Sequence, residues 1–154
     1  MEFDIKQARR PGFLRRMAAL SYDLVLLFGV LMLAVAIVII PYGLIVGEPF
    51  PHQETGFRLA LQLYLVALIG GFYGFFWVHG GQTLGMRAWR FRLLREDGTG
   101  LQPRDALRRL GWAVVSLIPL GAGFLWMLID RDGLAWHDRM SYTQPVMMKK
   151  RDDD

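Results

Sequence analysis

Three long stretches of the chain carry no charged side chain, and polar, Arg-rich segments separate them. Residues 24–47 run for 24 positions without Asp, Glu, Lys or Arg, residues 59–86 for 28, and residues 110–129 for 20. A helix rises about 1.5 Å per residue, so roughly 20 apolar residues cross a hydrocarbon core of about 30 Å. The pattern predicts an all-α membrane protein with two transmembrane helices. A third apolar segment is either re-entrant or spanning, and a small cytoplasmic strand-turn element completes the fold. The expected helices cover about residues 13–40, 59–78 and 104–130.

The first helix is hydrophobic all round in its centre, and Pro41, Gly43, Gly47, Pro49, Pro51 and Gly56 break the pattern after it. The second ends in Phe72, Tyr73, Phe75, Phe76 and Trp77, rings suited to a headgroup interface. Residues 79–109 then differ in kind, with seven Arg against three acids. Trp89, Phe91 and Leu93 alternate with Arg90 and Arg92, which is the period of a strand. Asp97-Gly98 supplies a turn, and Pro103 with Asp105 marks a helix start. Pro119, Gly121 and Gly123 interrupt the third run. The chain therefore divides into a basic tail (1–12), a membrane domain (13–147) and a disordered charged end (148–154).

Charge fixes the expected orientation. The net charge is +4, and most basic residues flank the apolar runs, which points to retention on the cytoplasmic side rather than to nucleic acid. The N-terminal segment carries five Lys and Arg, the 41–57 loop none, and residues 79–109 seven. The N-terminus and the long loop are thus placed in the cytoplasm of a multi-pass, inner-membrane protein. The first run is longer than a signal-peptide core and no small-x-small site follows it, so it reads as a retained anchor. If the third run spans, five basic residues of the C-terminal tail lie outside, against the rule. If Pro119–Gly123 is the apex of two half-helices, the tail returns to the cytoplasm, and that alternative is favoured. The absence of Cys excludes disulfides, thiol catalysis and cysteine metal sites.

Arg16 and Asp23 lie seven residues apart, within about 20° on one helical face and about 10 Å along the axis. Asp23 thus enters the apolar zone, where a carboxylate needs compensation. It is either interfacial and solvated or part of a polar cluster facing other helices. The gap is too long for a direct pair, so its partner is a long Arg, a water or another segment. Asp130-Arg131-Asp132 and His137-Asp138-Arg139 lack convergent metal-ligand spacing and read as a solvated turn. Gly70 and Gly74 form a GxxxG packing surface, inside the chain or between subunits. No Ser-His-Asp set, P-loop or dinucleotide fingerprint is present, so neither enzymatic activity nor a cofactor is expected.

Several of these pieces align in order. Arg16 opens the first helix, Asp23 lies inside it, and Asp138 sits in Leu134-Ala135-Trp136-His137-Asp138-Arg139-Met140. Gly81, Thr83, Gly85 and Arg87 stand together after the second span, and Tyr142-Thr143-Gln144-Pro145-Val146 closes the pattern. Over about residues 10–147 the chain resembles the RDD family of small membrane proteins, named for one Arg and two Asp. Pro145, which has no N–H for a ladder, argues against a regular strand at that end. The resemblance implies no established activity; transport of a small ion or solute has been suggested for such proteins. Transport would make Asp23 the intramembrane acid of a homo-oligomer. The alternative is a non-transporting accessory or scaffold subunit, in which Arg16, Asp23 and Asp138 lock the loop and tail to the helices. Its partners would be anionic headgroups of the lipid bilayer or a membrane protein.

Overall fold

A computed structural model describes residues 9–148; the first eight residues of the expected basic tail and residues 149–154 of the expected charged end lie outside it. The elements are α1 (Phe13–Val46), α2 (Thr55–Gly80), α3 (Leu84–Ala88), β1 (Phe91–Arg95), α4 (Pro103–Leu117), α5 (Ala122–Leu125) with a 3-10 turn (Trp126–Leu128), α6 (Trp136–Met140) and β2 (Thr143–Met147). They form two compact units. One is Leu24–Phe72, and the other joins the residues up to Asp23 with those from Tyr73 onward.

Within Leu24–Phe72, the two long helices account for nearly everything. α1 has 34 residues and α2 has 26, so they measure about 51 Å and 39 Å and both exceed a bilayer core. Their surfaces are apolar and exposed, with Val25, Leu33, Leu44, Leu63 and Val66 all outward, as lipid-facing spans require. The expected end of α1 at Ile40 is corrected: the helix runs through Pro41 to Val46. Pro41 costs one backbone hydrogen bond, and the added turn brings Tyr42 onto Phe50 and Phe57, with centroids 5.2 and 6.1 Å away. Phe50 and Phe57 are themselves 5.7 Å apart, so three rings close the connection that the Pro and Gly content marked as a plain loop. Gly47, at φ +76°, ends the helix in the left-handed region.

In the other unit β1 and β2 pair antiparallel, Phe91 opposite Met147 and Arg95 opposite Thr143. Strand formation at β2 corrects the argument from Pro145. The Glu96 N–H donates to the Tyr142 carbonyl at 3.2 Å and the Met148 N–H to the Arg90 carbonyl at 2.9 Å. In this register the hydrogen-bonded pairs alternate, so Pro145 opposite Leu93 falls where backbone nitrogens point outward. Proline loses no ladder bond there. Three outward N–H groups are met too: Leu93 donates to Gly81 at 2.7 Å, Arg95 to Thr99 at 2.9 Å and Met147 to Arg9 at 2.8 Å. The expected Phe91/Leu93 face is the core face. Trp77, Leu93, Leu101 and Ala106 form the buried cluster, with Tyr73, Val78, Met86 and Leu110 around it.

Within the expected segment 104–130, the interruption anticipated at Pro119–Gly123 is present. α4 begins as anticipated, with Pro103 in the first turn and Asp105 accepting the Gln102 N–H at 2.9 Å. It stops at Leu117, and the α5 arm leaves at 108° to it. Leu120 (φ 54°) and Gly121 (φ 80°) make the reversal in consecutive left-handed residues. A Cβ on Gly123 would stand 2.6 Å from the Ser116 Cβ, so glycine lets the second arm close on the first. By contrast, a Cβ on Gly74 or Gly71 meets open space. The GxxxG pattern therefore makes no close approach at Gly74 within the chain.

Gly123→Val should lower thermal stability in detergent by about 1–3 kcal/mol through overpacking against Ser116. Gly74→Ala should leave it within about 0.5 kcal/mol. A Gly74 variant as damaging as the Gly123 variant would show that the glycine pair packs inside the chain after all.

Candidate functional site

The first turn of α1 carries Arg16 into a buried polar cluster built from segments far apart in sequence. One guanidinium nitrogen donates to Asp138 Oδ2 at 2.7 Å and the other to the Gly133 carbonyl at 2.9 Å. Asp138 is the third residue of α6, and the same Oδ2 accepts the Ala135 N–H at 3.0 Å, capping that short helix. Its other oxygen, Oδ1, pairs with Arg109 at 2.6 Å. Arg109 reaches on to the Thr143 hydroxyl at 2.7 Å and lies over the Trp77 ring, 5.3 Å from its centroid. Ser141 completes the network, 2.7 Å from Thr143 Oγ1 and donating to the His137 carbonyl at 2.5 Å.

The electrostatics follow from burial and pairing. Asp138 is 0% exposed, and burial alone would push its carboxyl up. Arg109, Arg16 and the Ala135 N–H override that and hold it well below the usual carboxylate range. His137, its ring tilted against Phe124 with centroids 4.5 Å apart, goes down to about 4: burial disfavours its cation, Arg109 and Arg16 add to this, and Asp138 offsets part. With His137 neutral, two guanidinium groups share one carboxylate. The reading of this stretch as a solvated turn is thus corrected for His137 and Asp138, both of which are buried. It holds for Asp132, which is exposed and pairs with Arg139 at 3.0 Å.

Asp23 is not in this cluster. Two helical turns beyond Arg16, it is 2% exposed and belongs to a second clasp. Its Oδ2 accepts the Thr83 hydroxyl at 2.5 Å and its Oδ1 the Gly85 N–H at 2.8 Å. Thr83 in turn accepts the Met86 N–H at 3.2 Å and so caps α3. Gly85 is pressed against α1: a Cβ there would collide with the Ala19 carbonyl and lie 2.9 Å from Asp23 Oδ1. Gly81 turns the chain at φ 66° and its own Cβ would stand 2.6 Å from the Leu93 carbonyl oxygen. Arg87, the fourth residue of the expected signature, is exposed and takes no part in the clasp.

The structure therefore joins Arg16 to Asp138 and gives Asp23 separate partners in the 81–85 turn. Sequence reasoning missed Arg109 and Thr143. A signal existed for Arg109, which lies four residues after Asp105 on the predicted helix, and both are buried with Ala106 and Ser116 along one stripe of α4.

Asp138→Asn should destabilise the protein by about 3–5 kcal/mol in thermal unfolding, because it strands two buried guanidinium groups. Acidification has its own signature. An unfolded imidazole takes its proton near pH 6.5 and His137 in the fold only near 4, so the unfolded chain binds more protons between these values. Stability should fall across that window by about 3 kcal/mol. His137→Gln should flatten it, and an unchanged pH profile in that variant would assign the loss to other groups.

No curated protein and no solved structure matches the chain. A family model, that of the RDD family, matches residues 10–142, which includes Arg16, Asp23 and Asp138. That span is far more than half of the sequence, and the chain belongs to the RDD family.

Proposed function

We propose that this RDD protein is a non-transporting accessory or scaffold subunit of the cytoplasmic (inner) membrane. In this reading its N-terminus and Arg-rich unit lie in the cytoplasm, where they meet anionic headgroups or a membrane partner. The observation that carries it is the state of Asp23. Both carboxylate oxygens are already occupied, by a hydroxyl and a backbone N–H, and the side chain is buried. A carboxylate engaged in this way fixes the 81–85 turn to α1, and an ion could use its remaining lone pairs only by entering that buried clasp. Asp138 is likewise consumed by Arg16 and Arg109.

The topology also suits a scaffold. β2 pairs with β1, so the chain after the bent α4–α5 pair returns to the segment that precedes it. Residues 110–118 of the first arm rise only about 12 Å, less than half of a 30 Å core. Leu117, Ile118, Leu125 and Ile129 are exposed around the bend and Leu120 is 98% exposed, a surface that a leaflet would cover. This supports the re-entrant alternative, with both flanks on the side that carries most Lys and Arg.

Transport by a homo-oligomer with Asp23 as the intramembrane acid is the competing reading, and it requires the Thr83–Gly85 clasp to open in each cycle. Asp23→Asn separates the two. The scaffold reading predicts lower thermal stability and abundance, since an amide gives up two charge-assisted hydrogen bonds and obliges the Thr83 hydroxyl to turn round. A variant of normal stability that loses proton- or cation-driven flux in proteoliposomes would overturn it. For topology, single cysteines at Gly100 and Arg131 should both resist a membrane-impermeant thiol reagent in intact cells, while one at Gln53 reacts. Reaction at Arg131 would make the third segment a true span.

A further inference from the structure

The last turn of α2, the start of α3 and the residue after β2 enclose a cavity of about 450 Å³. Phe75 and Phe76 form its apolar wall, with their rings edge to face at 5.6 Å, and Phe75 continues outward as an exposed surface of the helix. His79, Gln82, Arg87 and Met148 line the rest, and no carboxylate is among the lining residues. Arg87 is the one full charge there. It is exposed and forms no ion pair among the described residues. An unneutralised guanidinium beside an aromatic wall is an anion site with an apolar continuation.

Its place on the span favours a lipid anion. α2 is about 39 Å long against a core of about 30 Å, and the cavity lies at its C-terminal end, where a helix of that length can extend past the hydrocarbon. The flanking turn has the same character. Trp89 and Arg90 are exposed, and Arg90 is pinned at φ 56° while its carbonyl accepts the N–H of Met148, a cavity residue. His79 is fixed beside the cavity, its Nδ1 donating to the Phe75 carbonyl at 3.0 Å.

We propose that this cavity binds the phosphodiester headgroup of an anionic phospholipid, with Arg87 as its principal contact and the acyl chains leaving over Phe75. The site deepens the scaffold reading by naming the lipid class, yet its test stands apart. Flux dependent on Asp23 would sink that reading and leave this site untouched.

The full chain, purified in neutral detergent, is titrated with phosphatidylglycerol and with phosphatidylcholine and followed by native mass spectrometry. Phosphatidylglycerol should be retained in preference. Arg87→Ala should weaken it about fivefold at unchanged thermal stability, Arg87→Lys should keep most of the binding, and Arg104→Ala should change nothing. Equal retention of the two lipids, or wild-type binding by Arg87→Ala, would overturn the proposal. Displacement of the lipid by an equal concentration of inorganic phosphate would also overturn it, showing a free-phosphate site instead.

Discussion

A single buried carboxylate organises the unit that joins the residues up to Asp23 with those from Tyr73 onward. Asp138 has no exposure to solvent, so its charge has to be repaid inside the protein. Repayment comes from Arg16 at 2.7 Å, Arg109 at 2.6 Å and the Ala135 N–H at 3.0 Å. These donors come from α1, α4 and the lead-in to α6. A chain that fails to bring all of them together is left with an ion stranded in a low-dielectric site. Desolvation thus turns three weak sequence signals into one cooperative contact, and it pins the returning tail where β2 can form.

The backbone obeys the same accounting. A two-stranded sheet has two open edges, a liability in any protein. Here the outward N–H groups of Leu93 and Arg95 end on Gly81 and Thr99, and that of Met147 ends on Arg9. Pro145 takes away one outward donor of β2 by having none. The residue that seemed to forbid a strand therefore helps to finish it. Glycine plays the matching part in packing: Gly85 admits the Ala19 carbonyl and Gly123 admits Ser116, contacts that any side chain would block.

Which of these features the sequence reveals depends on range. The membrane class, the two long helices, the β1 alternation and the Pro103–Asp105 helix start are local, and uncharged run length or period suffices to find them. The extra turn of α1 past Pro41 is not local, because it depends on Tyr42 meeting Phe50 and Phe57. The break at Leu117 was suggested by Pro119 and Gly121, but its 108° angle depends on Gly123 meeting Ser116. Arg16, Asp23 and Asp138 were legible as residues needing partners. Spacing along one helix could not distribute those partners, since Arg109 and Thr83 are 93 and 67 positions beyond Arg16.

The identity of the group at position 23 carries its own argument. Thr83 and Gly85 both present donors to it, and a backbone N–H cannot rotate to become anything else. A carboxylate accepts from both with its charge behind each bond, whereas an amide keeps only the Gly85 N–H as donor and obliges the Thr83 hydroxyl to turn and accept. Glutamate, one methylene longer, would have to push Gly85 off the Ala19 carbonyl, a contact with no slack. An acid at this depth is thus tied by its own hydrogen bonds to the turn it holds.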